Sequence, residues 1–332
     1  MCTRVVYLGP EDTIVTARSM DWRNRDMESN LWALPKEMER KGAAGDNSIK
    51  WTSKYGSVVT TFMDSGSADG MNEAGLVANM LYLTETKYPT PIENDPRNPL
   101  ALSAWVQYVL DNYATVKEAV EALRKEPFYI VPIKSPDYEV TKAEGTTHLA
   151  ISDPTGDSAI FQYIDGKLNI YHDRKYQVMT NSPPYDQQLA LNQYWEQIGG
   201  TTMLPGTNRA ADRFVRASFY IKAIPQTSDI NEAIAGVFSV IRNVSVPLGI
   251  STPNQPNISS TLWRVVADHK NKRYFFESTR SPNVFWVNLS DLNFAKGEST
   301  KKLTLKDNQF LVGNVAKKFE SCTPFQFLPA KH

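Results

Sequence analysis

The chain has 332 residues, 41% apolar and 11% aromatic, enough to bury a large core, and its 36 Lys and Arg balance its 36 Asp and Glu. That balance removes the electrostatic case for a nucleic-acid or anionic-membrane partner, and no apolar run approaches the roughly 18 residues of a membrane helix. Only Cys2 and Cys322 occur, which excludes a disulfide framework, although one bridge between them is conceivable. No Pro/Gly/Ser-rich linker divides the sequence, so one domain over residues 1–332 is expected.

Thr3 to Leu8 and Thr13 to Ala17 are β-branched and apolar, and the Gly9-Pro10-Glu11-Asp12 cluster between them predicts an antiparallel hairpin. Its second strand returns Arg18 and Asp21 toward Cys2. Removal of Met1 would give Cys2 a thiol and a free α-amine on one residue, with ordinary pKa values of about 8.5 and about 7.7–8.0. The amine can then act as base for the thiol, the guanidinium favours thiolate, and the carboxylate can fix the amine. The residues alone also allow a plainer outcome, a small residue at position 2 beside an ordinary Arg18–Asp21 surface pair.

Residues 24–47 read as a long polar connection with Leu31-Trp32-Ala33-Leu34 as its apolar spot, a candidate wall for a substrate pocket. Residues 57–62 and 76–83 read as strands, joined through the Gly-rich Ser65 to Gly70 and Asn72 to Gly75 turns. Ser67 lacks the frame of a nucleophile-elbow serine. Leu100 to Lys125 reads as helical, with a capping box at Thr115 and Glu118 opening its second half. Residues 148–152, 158–163, 167–171 and 176–180 predict a four-strand antiparallel meander. Helices are expected over 183–198, with Leu191, Tyr194, Trp195 and Ile198 inward, over 209–221, and over 229–242 capped by Asp229. Four strands near 262–266, 273–277, 283–287 and 302–305 close the chain. Strand groups alternate with helix groups, without the strand-helix-strand beat of a doubly wound sheet. The fold class is therefore α+β, two antiparallel sheets between helical layers. His148, His172, His269 and His332 show no ligand spacing, so neither a metal nor a cofactor is expected.

Met-Cys-Thr at the start, Arg18-Ser-Met-Asp21-Trp, Met71-Asn72-Glu73-Ala74-Gly75-Leu76, Met179-Thr180-Asn181-Ser182-Pro183 and Asp212-Arg213-Phe214-Val215-Arg216 occur in order. Together they resemble the choloylglycine hydrolase family of bile salt hydrolases and penicillin V acylases, within the N-terminal-nucleophile hydrolases. The resemblance implies a four-layer αββα sandwich and amide hydrolysis by an N-terminal cysteine through a thioester. It implies catalytic roles for Cys2, Arg18, Asp21, Asn181 and Arg213, with the Asn181 amide and the backbone N–H of Tyr82 as oxyanion donors. Met20, Met27, Trp32, Phe62 and Tyr82 are the candidate substrate wall.

Conjugated bile salts are the first expected substrate. Penicillin V or an N-acyl-homoserine lactone is the alternative, since Tyr82 stands where many bile salt hydrolases carry Asn. The 32 positions from Asn181 to Arg213 look like the Gram-negative group, which lacks a part that helps tetramer assembly in the Gram-positive enzymes; the resemblance as a whole implies a homo-oligomer, tetramer or dimer. If Met1 replaces a removed leader the protein is periplasmic or secreted, and if Met1 is native it is cytoplasmic. Two rival classes remain open: a non-catalytic binder of steroid or lipid acids, and a redox role for Cys2 and Cys322. Sequons at Asn243, Asn257 and Asn288 are read as chance.

Overall fold

The computed structural model describes residues 2–93, 95–135, 137–141, 145–199, 203–250, 259–281, 283–306 and 309–330; Met1, the Asn257 sequon and His332 lie outside them. Two large sheets face each other. The first has seven strands in the order Val178–Met179, Cys2–Leu8, Ile14–Asp21, Thr261–Asp268, Arg273–Ser278, Val284–Asn288, Gly313–Asn314. The second has nine, in the order Lys167–His172, Ser158–Ile164, Thr147–Ser152, Val77–Tyr82, Ser67–Asn72, Ser57–Thr61, Leu31–Leu34, Lys301–Leu303, Glu320–Ser321. Pairing is antiparallel throughout both, except where Gly313–Asn314 runs parallel to Val284–Asn288.

Helices Ala210–Ala223 and Ile230–Asn243 lie on the outer face of the first sheet, and helices Trp105–Asn112 and Val116–Leu123 cover the second. This is the αββα sandwich that the resemblance implies. Strand alternation makes it possible: Val58, Val77 and Leu81 join the core shared with the first sheet, while Val59, Ala78 and Met80 join the core under helix Trp105–Asn112. Both faces of the second sheet are buried, so its central strands bury apolar residues on both sides and their polar residues, such as Asp69, Asn72 and Asn79, are buried with them. Thr115 caps its helix by accepting from Glu118 N at 3.2 Å, and Asp229 caps by accepting from Asn231 N and Glu232 N.

Several expectations change. Leu31–Leu34 is a buried strand inside the second sheet rather than a loop; four buried residues in a row carry no alternation to betray a strand. Ser67–Asn72, read as turn because of its glycines, is likewise a strand, and it carries Asp69 into the interior. Asn98–Ala101 pairs in parallel with Phe128–Val131, so the helical region starts only after it. The meander has three strands, because Val178–Met179 crosses to the first sheet and pairs with Cys2–Leu8. Helix Tyr185–Ile198 buries Tyr185 and Gln188, while Leu191, Tyr194 and Ile198 are 41%, 57% and 44% exposed. Its apolar stripe faces away from the sheet, because the turn after Asn181 fixes the helix by its first residues.

Two buried histidines give the fold a pH dependence. His269 lies between Thr16 Oγ1 and the Gly75 carbonyl, each at 2.8 Å, and His148 between Gln162 Nε2 at 2.7 Å and the Thr180 carbonyl at 2.8 Å. Burial pushes both imidazoles down to about 4. From pH 6.5 to 4 the unfolded chain takes up protons that these folded histidines refuse, so each lowers stability by up to about 1.4 kcal/mol per pH unit as pH falls. Asp69 and Asp111, whose carboxyls burial pushes up, act in the opposite sense over the acid part of that window. His269→Gln, which keeps a donor and an acceptor, should show a shallower loss of stability between pH 6.5 and 5 than the parent. Urea unfolding at a series of pH values measures the difference; parallel curves would remove His269 from this account.

Candidate active site

The hairpin register sets Met20 directly opposite Cys2 and Arg18 opposite Arg4. Opposed residues share a face, so Cys2, Met20 and Arg18 all point into the space between the sheets. Cys2 is 3% exposed. Arg18 Nη2 lies 3.6 Å from its Sγ, 3.5 Å from Met20 Sδ and 2.9 Å from the Met80 carbonyl, and the guanidinium carbon sits 4.5 Å over the Trp263 ring.

Arg18 and Asp21 are both fully buried, so the surface pair allowed by the sequence is not what forms. The cation beside Asp21 is Arg213, whose Nη1 lies 3.8 Å from Oδ2, and Asp21 Oδ1 accepts from Thr261 Oγ1 at 2.6 Å. Helix Ala210–Ala223 carries Arg213 into the interior, where Nη1 donates to the Cys2 carbonyl at 2.7 Å and to Thr3 Oγ1, and Nε donates to the Asn208 carbonyl at 3.0 Å. Burial pushes this guanidinium down from its ordinary range and the Asp21 carboxylate opposes that.

Asn181 joins these parts. Its Oδ1 accepts from Cys2 N at 2.7 Å and from Arg213 Nη2 at 2.8 Å, and its Nδ2 donates to the Tyr82 carbonyl at 2.6 Å. One Nδ2 hydrogen is committed to Tyr82 and the amide has a second. Leu83 N donates to the Thr146 carbonyl, which makes Tyr82 and Thr147 a non-hydrogen-bonded pair and turns the Tyr82 N–H away from that neighbour. The strand on the other side, Ser67–Asn72, pairs only as far as Asn79. The N–H and C=O of one strand residue point the same way, so the Tyr82 N–H lies on the side where Asn181 Nδ2 meets the Tyr82 carbonyl.

Asn181 is itself braced. Gln188 Nε2 donates to its carbonyl and to the Pro183 carbonyl at 2.6 Å, while Gln188 Oε1 accepts from Thr180 Oγ1 at 2.6 Å. Neutral His148, donating from Nε2 to the Thr180 carbonyl, holds the preceding residue.

Beside Cys2 runs an apolar slot of about 80 Å³. Met20, Met27, Phe62 and Tyr82 line it, as the sequence reading placed them. Trp32 does not. It lies on the opposite face of its strand, donating to Asp64 at 2.7 Å and packing against Phe325, because residues 31–34 form a strand whose alternate side chains part company. Trp22, Met63, Met80 and Ile133 are also in the wall and were missed. Trp22 follows Asp21 directly, a usable signal; nothing in the sequence connects Ile133 to Cys2. Trp22 Nε1 donates to Asp137 at 2.9 Å across the slot. A wider depression of about 480 Å³, rimmed by Arg25, Asp26 and Arg280, shares Met27 with the slot but not Cys2. The remaining cysteine, Cys322, is a free thiol packed against the second core. Among the described residues no group of three His, Cys, Asp or Glu could hold a metal.

The model of the linear amide C–N hydrolases, choloylglycine hydrolase family, matches residues 2–305. A penicillin V acylase of Pectobacterium atrosepticum is 51% identical over 98% of this chain and 92% of its own length. The structure of a penicillin V acylase from Agrobacterium tumefaciens superposes with a TM-score of 0.90 at 56% identity, covering 99% of this chain and all of that one. A bile salt hydrolase/transferase of Clostridium perfringens is 25% identical over 94% of this chain and 98% of its length.

Proposed function

The chain belongs to the choloylglycine hydrolase family of linear amide C–N hydrolases, and from that premise we propose that it cleaves N-acyl amides with a compact aromatic acyl group, of the phenoxyacetyl type found in penicillin V, using Cys2 as nucleophile. The observation that carries the chemistry is the convergence on Cys2 of Arg18 at its sulfur and Asn181 at its nitrogen. With Met1 removed, the Cys2 amine takes the thiol proton and Sγ attacks the substrate carbonyl. The oxyanion that forms is held by the second Nδ2 hydrogen of Asn181 and the Tyr82 N–H. Collapse breaks the C–N bond, the Cys2 ammonium protonates the leaving amine, and a thioester remains. Water, deprotonated by the same amine, then releases the acid. Asp21 and Arg213 keep the backbone of residues 2 and 3 and the Asn181 oxygen in register for these steps.

The slot supports the substrate order. A cavity of roughly 150 Å³ accommodates benzene, so a slot of about 80 Å³ must widen even for one ring and much further for a four-ring steroid. Identity of 51% to a penicillin V acylase against 25% to a bile salt hydrolase/transferase points the same way. This reverses the order in which the sequence alone ranked the two substrates. Bile salts remain the second reading, favoured by the soft methionine wall that can re-pack around a larger apolar ligand.

Side-by-side rates on penicillin V, glycocholate and taurocholate decide it. Penicillin V is expected to be turned over at least about tenfold better by kcat/KM, and equal or better turnover of either bile salt would restore the steroid reading. Intact mass and N-terminal sequencing of the active protein should show Cys2 as its first residue.

A further inference from the structure

Arg18 is a buried cation with unusual company. Its Nη2 is spent on two sulfur atoms and one carbonyl, its face lies on Trp263, and among the described residues its Nε and Nη1 have no hydrogen-bond partner. A desolvated guanidinium held this way calls for a nearby anion. Asp21 lies beside the other buried arginine of the site, Arg213.

The anion that faces Arg18 comes from the opposite sheet. Asp69 is fully buried on Ser67–Asn72, accepts from Tyr274 Oη at 2.7 Å and from Asn79 Nδ2 at 2.6 Å, and sits opposite Asn79, whose neighbour Met80 accepts from Arg18 Nη2 at 2.9 Å. Thr60 Oγ1 lies 2.9 Å from Tyr274 Oη and completes the set. The charged or titratable groups facing Asp69 are thus Arg18 from strand Ile14–Asp21 and Tyr274 from Arg273–Ser278; Asn79 and Thr60 face it from Val77–Tyr82 and Ser57–Thr61.

We propose that Asp69 is a positioning residue for the reaction, balancing the charge of Arg18 from behind and so setting how strongly that guanidinium draws on the Cys2 sulfur. This rests on Cys2 being the nucleophile. Tyr274, whose hydroxyl is pushed well above its ordinary value by burial, stays protonated and donates to the carboxylate. Burial pushes the Asp69 carboxyl up to about 6, with Arg18 and the two donors opposing. The residue therefore changes charge within the pH 5–9 span of the test below. Above that value the aspartate offsets Arg18; below it the guanidinium acts on sulfur unopposed.

The test is alkylation of Cys2 by iodoacetamide across pH 5–9, followed by the mass of the N-terminal peptide so that Cys322 does not contribute. Asp69→Asn should move the midpoint of the alkylation curve to lower pH by about one unit, and the acid limb of kcat should move with it. Asp69→Glu should return both toward the parent. Should Asp69→Asn fail to fold, Tyr274→Phe carries the test, with a smaller displacement of the same sign because it removes one donor from the carboxylate. Superimposable alkylation curves for parent and variant, or a uniform loss of activity with unchanged pH dependence, would reduce Asp69 to a structural role. Cys2→Ala that retained turnover would instead sink the nucleophile reading beneath it.

Discussion

Cys2→Ala is expected to lower kcat/KM on penicillin V by at least about 10³-fold while leaving the fold intact. In the proposed reaction the thiol sulfur forms the thioester, and the side chains near it cannot replace it. Ser135 and Thr147 line the same slot, but neither carries an α-amine on its own residue. Loss of one sulfur from a site 3% exposed leaves only a small cavity, so the thermal midpoint should fall by no more than a few degrees. A protein that keeps Met1 should be as inactive as the alanine variant, because its Cys2 nitrogen is then a peptide nitrogen without basicity. The two forms still differ, since the Met1-bearing protein keeps a thiol that alkylates. Release of the primary amine product, measured for both, checks the pair. Turnover above about one hundredth of the parent in Cys2→Ala would remove the thiol from the chemistry.

Asn181→Ala should cost about 10²–10³ in kcat with a much smaller change in KM, the range for loss of one oxyanion donor. The variant also strips a partner from the Cys2 nitrogen and leaves Arg213 Nη2 buried without its acceptor, about 1–3 kcal/mol of stability. Asn181→Asp separates the two effects. It keeps the acceptor for Cys2 N and adds charge complementary to Arg213, so stability should be preserved; it removes the Nδ2 donor and sets a carboxylate against the developing oxyanion, so kcat should fall at least as far. Steady-state kinetics beside thermal unfolding reads both. An aspartate variant with near-parental kcat would mean that Asn181 organises the residues around it without stabilising the transition state.

The N-terminal hairpin was legible because its information is local. Two β-branched runs around Gly9-Pro10-Glu11-Asp12 fix a register, and that register alone places Arg18 near Cys2. The helix caps at Thr115 and Asp229 were legible for the same reason. Strands Leu31–Leu34 and Ser67–Asn72 were not, since one is apolar on both faces and the other is glycine-bearing and polar, patterns that a sheet explains only once its neighbours are known. Trp32 was assigned to the pocket on chemistry that suits a pocket; the strand sends it to the other core. Helix Tyr185–Ile198 shows the converse, a periodic apolar stripe that the packed structure leaves outside.

By itself the order of residues determined the layer pattern and nominated Cys2, Arg18, Asp21, Asn181 and Arg213 for one site, because those readings follow from short-range pairing and from motifs that keep their spacing. Only the folded chain decided that Arg213 lies beside Asp21, how Asn181 divides its amide between the Cys2 nitrogen and the Tyr82 carbonyl, and that an aspartate from a stretch read as turn is buried against Tyr274 and Asn79. Those partners lie up to 200 or so residues apart and meet only where two sheets exclude water. There a charge must find its opposite or go unpaired, and no local pattern records which one it finds.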